Sequence, residues 1–410
     1  MALQTGATRG ATTIVVLLTG LILGGIVLSF VGFLGVGVLY SLSHRCEGLP
    51  PEPAQPKRAP VPGGGFVWIA AGGSETCAQT KTDELWCWGR GSAPTLQVGP
   101  DHGAGAPYRQ FAVHDLGRCG IGGDHVLHCD RISSASVVGW ITLPAVSKVV
   151  LGQRHGCAIK DDHSLWCFGT NNARQVDPSK EAWREQPVQV GVGVKDVALG
   201  QQHTCAVLDS GKVRCWGSNA KGQLGPAADG DLAPQEPVLA SPATSVALAE
   251  TRSCALLVDG SVSCWGSDHL NADKYYQKNR PSRIKLEGRA TQLGTSESTG
   301  CVLLGPGNLT CWGQTYACAF RDYYCFDSEK PEIRYLAVPG EATQLAVADE
   351  HTCVLLSSGD VACVGANENN RLGRVLPFVE TTHYSHHSES CNTQAWEEPP
   401  GWPDLLPVYW

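Results

Sequence analysis

The chain has 410 residues, of which 18 are cysteine, and carries 31 basic against 39 acidic side chains. The net charge of −8 argues against a nucleic-acid platform. No CxxC occurs anywhere, which argues against structural zinc.

Residues 1–13 read as a short cytoplasmic N-terminus. From Ile14 to Leu42 there are 29 positions without a charge. That exceeds the roughly 20 apolar residues that span a bilayer and the roughly 7–15 of a signal-peptide core. The segment is expected to be an uncleaved signal-anchor helix. The alternative is cleavage at the small-x-small step Ser41-Leu42-Ser43, after which the protein would be secreted. Arg9 upstream, against Arg45, Lys57 and Arg58 downstream, leaves the positive-inside rule equivocal. Gly20 with Gly24, and Gly25 with Ser29, are spaced for close helix approach, although packing-neutral glycine is the ordinary reading. Residues 43–65 form a stalk: six prolines lie between Glu47 and Gly65, ending in Gly63-Gly64-Gly65, an extended segment with a hinge.

Seven cysteine pairs follow, each with nine residues between its members: Cys77/Cys87, Cys119/Cys129, Cys157/Cys167, Cys205/Cys215, Cys254/Cys264, Cys301/Cys311 and Cys353/Cys363. Their first members fall 38 to 52 residues apart, the mark of one structural unit joined by loops of differing length. In the fourth unit, Ala206-Val207-Leu208 runs into Asp209-Ser210-Gly211, and Val213 leads out to Cys215-Trp216-Gly217, which reads as a hairpin. A three-residue loop centred on Ser210 sets Cys205 opposite Cys215. Its last residue needs positive φ, and Gly211, Gly260, Gly307 and Gly359 all stand there. The cysteines then occupy a non-hydrogen-bonded pair, with Cα atoms about 4.5 Å apart, a distance a disulfide can close. Two thiols per unit are too few for zinc, and reduced core cysteines do not explain seven repetitions of one spacing. Disulfides place the repeats in an oxidising compartment, with the N-terminus inside and everything after the helix outside.

About 46 residues per unit suffices for four short strands, the size of a propeller blade. In the fourth unit the candidates are Val197-Ala198-Leu199, the two hairpin strands, and Pro237-Val238-Leu239. Ring closure is expected between Phe66–Ala70 and the segment near Val375–Val379. The run V-A-L-G-Q-Q-H-T-C-A-V at 197–207, followed by W-G-S-N-A-K-G-Q-L-G at 216–225, resembles the regulator-of-chromosome-condensation repeat, in its exported, cysteine-bearing bacterial form. Trp or Phe followed by Gly recurs at 88–89, 168–169, 216–217, 265–266 and 312–313. Gly72, Gly152, Gly200, Ala249 and Ala348 stand five residues before their first cysteines, where strands would crowd. The second unit departs most, with His114 at that place and Asp130-Arg131 in place of Trp-Gly. The resemblance spans residues 66–380 and implies an all-β, seven-bladed β-propeller, here preceded by the transmembrane helix and followed by a tail at 381–410.

No nucleophile elbow, phosphate loop or HExxH motif occurs, and neither a catalytic residue nor a cofactor is expected. His155, His203 and His351 precede their cysteines by two residues and read as structural hydrogen-bonding groups. The tail set His383, His386 and His387, near Glu389 and Cys391, reads as a solvated polar tail, so no metal site is assigned. Asn308-Leu309-Thr310 is a glycosylation sequon beside a turn. Two insertions carry the functional signal. The first holds Tyr275, Tyr276 and Arg280; the second holds Tyr316, Phe320, Arg321, Tyr323, Tyr324 and Phe326, with Cys318 and Cys325 placed to staple it. They fall in the same part of neighbouring units, and aromatic and arginine side chains on a rigid loop suit partner recognition. Cys46 and Cys391 remain, to pair with each other or between molecules. The expected function is a membrane-anchored extracytoplasmic module that binds a protein or a cell-surface polymer. Alternatives are a secreted glycan hydrolase or lyase with a site at the propeller axis, and a purely structural envelope protein.

Overall fold

The computed structural model describes residues 64–89, 92–97, 108–134, 137–226, 234–267, 279–296, 299–305, 308–313, 333–348, 351–365 and 406–407. The predicted anchor helix at 14–42, the stalk before Gly64, and nearly all of the tail lie outside these residues. Among the described residues no helix is long and apolar enough to cross a membrane.

Every described element is a strand, and the strands form seven antiparallel sheets, six of four strands and one of three. Within each sheet the strands follow chain order from first to last, so each cysteine-marked unit builds one blade. The first strands are Phe66–Gly72, Tyr108–His114, Val146–Leu151, Val194–Leu199, Ala243–Leu248, Ala290–Thr295 and Ala342–Val347. Each packs beside the next, and the seventh returns to the first, which closes a seven-bladed propeller around an axial channel.

All seven predicted blade disulfides are present. In chain order they are Cys77–Cys87, Cys119–Cys129, Cys157–Cys167, Cys205–Cys215, Cys254–Cys264, Cys301–Cys311 and Cys353–Cys363. Their Cα separations of 4.0–4.1 Å are slightly shorter than the pairing geometry alone predicts. The register agrees. Cys205 faces Cys215, Leu208 N–H donates to Lys212 O at 2.8 Å, and Gly211 N–H donates to Leu208 O at 2.7 Å. Gly211 has φ of 82°, and the same left-handed place is held by Asp83, His125 and His163 in the first three blades; Gly307 lies outside the described residues. Each cystine is buried between blades, so it serves as core as well as cross-link. Seven buried disulfides fit an oxidising compartment.

Two details differ from the sequence reading. In blade four the fourth strand is reduced to a single bridge, Cys215 to Gln235, and the expected segment 237–239 does not join the sheet. Pro234 and Pro237 flank Gln235 and have no N–H to extend the ladder. In blade seven the outer strand is Leu406–Pro407, paired with Ala362 and Cys363, so the chain returns to the propeller beyond residue 380. The expected closing segment near Val375–Val379 lies outside the described residues. Among the described residues the first strand of blade one lies against blade seven and closes the ring.

Candidate functional site

The two faces of the ring are built differently. One carries the hairpin turns and the starts of the first strands. The other carries the ends of the first strands and the ends of the third strands. Arg252 pairs with Gly266 and Thr299 with Gly313, so the roots of both insertions lie on this second face, in neighbouring blades. The axial channel reaches the same face. It is a cavity of about 280 Å³ to which all seven blades contribute. Its wall is mostly backbone and small side chains because the seven strands converge there: a Cβ added at Gly72 would stand 2.2 Å from Val113 O, and one at Gly200 2.6 Å from Ala249 O. The small residues five before the first cysteine of every blade but the second, where His114 stands, are therefore packing requirements of the axis. Among the described residues the wall carries one carboxylate, Glu250, and no Trp, Tyr or Phe.

The blade cysteines belong to the scaffold and not to this site. Cys167, Cys264 and Cys311 lie on third strands, facing Cys157, Cys254 and Cys301 on the second strands, and all six are buried in the packing between sheets. The same holds for Cys87, Cys129, Cys215 and Cys363 with their partners Cys77, Cys119, Cys205 and Cys353. None of the described cysteines lines the channel, because the first strand of each blade stands between the cystine and the axis.

Of the predicted partner-binding residues, only Arg280 is among those described. It is exposed and sits at the foot of the first insertion, just before the outer strand Ser282–Arg283. Tyr275, Tyr276, Tyr316, Phe320, Arg321, Tyr323, Tyr324 and Phe326 lie outside the described residues, as do Cys318, Cys325, Cys46, Cys391 and the tail histidines. Asn308 of the sequon is exposed at the start of its strand, while Thr310 is buried.

The three predicted histidines are fully buried and join blades. His155 Nε2 lies 2.8 Å from Thr204 Oγ1, His203 Nε2 3.0 Å from Ser253 Oγ, and His351 Nε2 2.5 Å from Thr76 Oγ1. In each case the partner is the residue just before the first cysteine of the next blade. The hydroxyls of Thr204 and Ser253 are themselves spent on the carbonyls of Gln175 (2.7 Å) and Gln223 (2.8 Å). A carbonyl only accepts, so His155 and His203 must carry their proton on Nε2 and donate it. The chain of groups runs from histidine through hydroxyl to the carbonyl of the N-A-R-Q or N-A-K-G-Q loop. That loop is held by Asn171 Oδ1 accepting from Val176 N–H at 2.9 Å, and in the next blade by Asn219 Oδ1 accepting from Leu224 N–H at 2.9 Å. Blades one and two use an ion pair at the same place, Arg118 to Glu75 at 2.5 Å. Glu75 also lies near Cys77 and Cys87, but that pair is oxidised, so the cluster is no metal site.

Burial holds the His155 and His203 imidazoles down to about 3 and His351 to about 4; the neighbouring His114 and His155, respectively, add repulsion for the first two. Thr204→Val is expected to leave two buried polar partners unmatched and to cost about 2–4 kcal/mol. Thr204→Ser should recover most of it, as read by urea unfolding.

A second belt was not anticipated from sequence. Each first strand opens with a one-residue bulge, and in four blades the residue after it reaches the neighbouring blade. Gln110 brackets Val149 through both its amide atoms at 3.1 Å. Asp196 accepts from Val246 N–H at 2.9 Å and pairs with Lys148. Gln292 accepts from Leu345 N–H at 2.9 Å, and Gln344 accepts from Ile69 N–H at 3.1 Å. The available signal was Gln or Asp nine residues before the first cysteine in four units.

Seven radial sheets, latched side to side around a narrow channel, define a seven-bladed β-propeller repeat protein. The Regulator of chromosome condensation (RCC1) repeat matches residues 146–175 and 194–223, which end on the latch residues Gln175 and Gln223; the chain carries repeats of this family. No curated protein matches the chain. Among solved structures, human WBSCR16 is 17% identical, with a TM-score of 0.61 over 71% of this chain and 87% of that one. Prp20p from Saccharomyces cerevisiae, described with its binding to Gsp1p and histones, is 17% identical, with a TM-score of 0.56 over 74% and 84%. Yeast RCC1 (Prp20) bound to Kap60 is 16% identical, with a TM-score of 0.57 over 74% and 82%. At these identities the likeness is one of fold.

Proposed function

We propose that the protein is a membrane-anchored, extracytoplasmic binding module that recognises another protein or a surface polymer through its insertion-bearing face. The observation that carries this reading is the rooting of both insertions on one face of adjacent blades, beside the channel mouth. The described chain enters blade one at Gly64–Phe66, on the opposite face, where Phe66 N–H donates to Gly359 O in the turn of blade seven. The binding of Gsp1p, histones and Kap60 by RCC1-type neighbours favours a protein partner.

A catalytic site at the axis is the weaker reading. Glycoside hydrolysis of the usual kind needs a pair of carboxylates, and Glu250 is the one carboxylate in the described wall.

Cross-linked pull-downs should compare the full chain with a variant lacking residues 314–331, a deletion that removes Cys318 and Cys325 together. Loss of the captured partner with the propeller still oxidised is expected; identical partners would sink the reading. Retention of the full-length chain in carbonate-washed membranes is expected for the anchor, whereas a shortened form in the medium would favour signal cleavage.

A further inference from the structure

We propose that the joint between blades seven and one is a latch that opens in mild acid, released by proton uptake at His351. Six of the seven blade-to-blade joints are bridged by the peptide chain itself, as Gly191-Val192-Gly193 bridges blades three and four. The seventh is not, and each of the seven described disulfides lies within one blade. Closure there rests on the packing of Phe66 and Ile69 against Leu355 and Val361, and on hydrogen bonds: His351 with Thr76, Gln344 with the backbone at Val67 and Ile69, and Phe66 N–H to Gly359 O.

His351 is 1% exposed, and its Nδ1 has no partner among the described residues, so a second proton would bring a buried, unsolvated charge. The surroundings offer it little compensation. The neighbouring strands Phe66–Gly72, Ala342–Val347 and Val361–Gly365 carry no titratable side chain. Glu75, beside Thr76, is turned to Arg118. Asp349 and Glu350 precede His351 in the chain and lie outside the described residues. Opening the joint exposes the imidazole to water, where its ordinary value is 6.5, against about 4 when closed.

The sign follows from which form binds the proton. Above 6.5 both forms are neutral and closure is insensitive to pH. Between 6.5 and about 4 only the open form takes up the proton, so the opening constant rises about tenfold per pH unit, roughly 300-fold in all. His155 and His203 sit at joints that the peptide chain also spans, which restrains their separation. Opening at the seventh joint is thus linked to about one proton, whereas global unfolding is linked to at least about three.

Hydrogen exchange between pH 7 and 4, corrected for intrinsic rates, tests this on the full chain. The Phe66 and Ile69 amides should lose protection with a slope of about one proton, while the Val149 and Val246 amides, which make equivalent bonds at internal joints, stay protected. His351→Gln keeps a donor for Thr76 and should abolish the slope at Phe66 and Ile69. The double variant His155→Gln with His203→Gln should leave it intact. Simultaneous loss at all four amides, a slope near three, or an unchanged slope in His351→Gln would overturn the proposal. Should His351→Gln fail to fold at neutral pH, the wild-type slope and order of loss decide alone.

Discussion

Full reduction of the disulfides is expected to unfold the propeller at neutral pH. A ring of this size contributes at most about 3 kcal/mol by the loop-entropy account, and less where a hairpin already holds its ends together. A contribution of about 1–3 kcal/mol for each of the seven bridges nevertheless sums to about 7–21 kcal/mol, as large as the roughly 5–15 kcal/mol by which domains are normally stable. The sulfurs are also packing atoms: the Cys205 Sγ lies 3.7 Å from Ser253 Oγ of the next blade, and the Cys301 Sγ 3.6 Å from Thr352 Oγ1. Removing one bridge, as Cys205→Ala with Cys215→Ala, should therefore lower stability by about 1–3 kcal/mol and leave the fold intact. Trp88, Trp265 and Trp312 are buried and report the transition by fluorescence. Native emission retained in excess reductant would refute the expectation.

Gly217→Ala is expected to cost about 3 kcal/mol or more. Gly217 has φ of 107°, and a Cβ there would stand 2.5 Å from Gln202 O and 2.8 Å from His203 Cα. Both obstacles are backbone, held by the latch histidine itself, so neither can rotate away. The equivalent glycines Gly89, Gly169 and Gly266 share the conformation and the close approach. Gly123→Ala is the control: its added Cβ meets nothing within 4 Å, and a change within about 0.5 kcal/mol is expected in thermal or urea unfolding. Equal stabilities for the two variants would remove this explanation of the Trp-Gly signature.

Much of the fold was legible because the repeat writes its local geometry in short range. Nine residues between cysteines, with a turn residue one past the midpoint, fixes a hairpin register without reference to any other blade. Cys157–Cys167, Cys254–Cys264 and Cys301–Cys311 form in this way even though their outer strands differ in length from blade to blade. His155, His203 and His351 were recognisable as structural, but not as donors to the next blade, because their partners lie 49, 50 and 275 residues away. The interblade role of Gln110, Asp196, Gln292 and Gln344 depends on a bulge at each strand start, and single-residue bulges leave no distinct pattern in one sequence. Blade two shows the converse: without Trp-Gly it still forms four strands around Cys119–Cys129. The outer strand at Leu406–Pro407 had no signal at all, since two residues carry no period.

By itself the sequence determined the number of blades, the pairing and register of fourteen cysteines, and an oxidising environment, because each depends on contacts within about a dozen residues. The tertiary structure decided which strand lines the axis, which side chains bind one blade to the next, where the ring closes, and which face bears the insertion roots. Those features arise from the approach of blades distant in the chain, where hydrogen-bond partners are chosen by geometry and not by spacing.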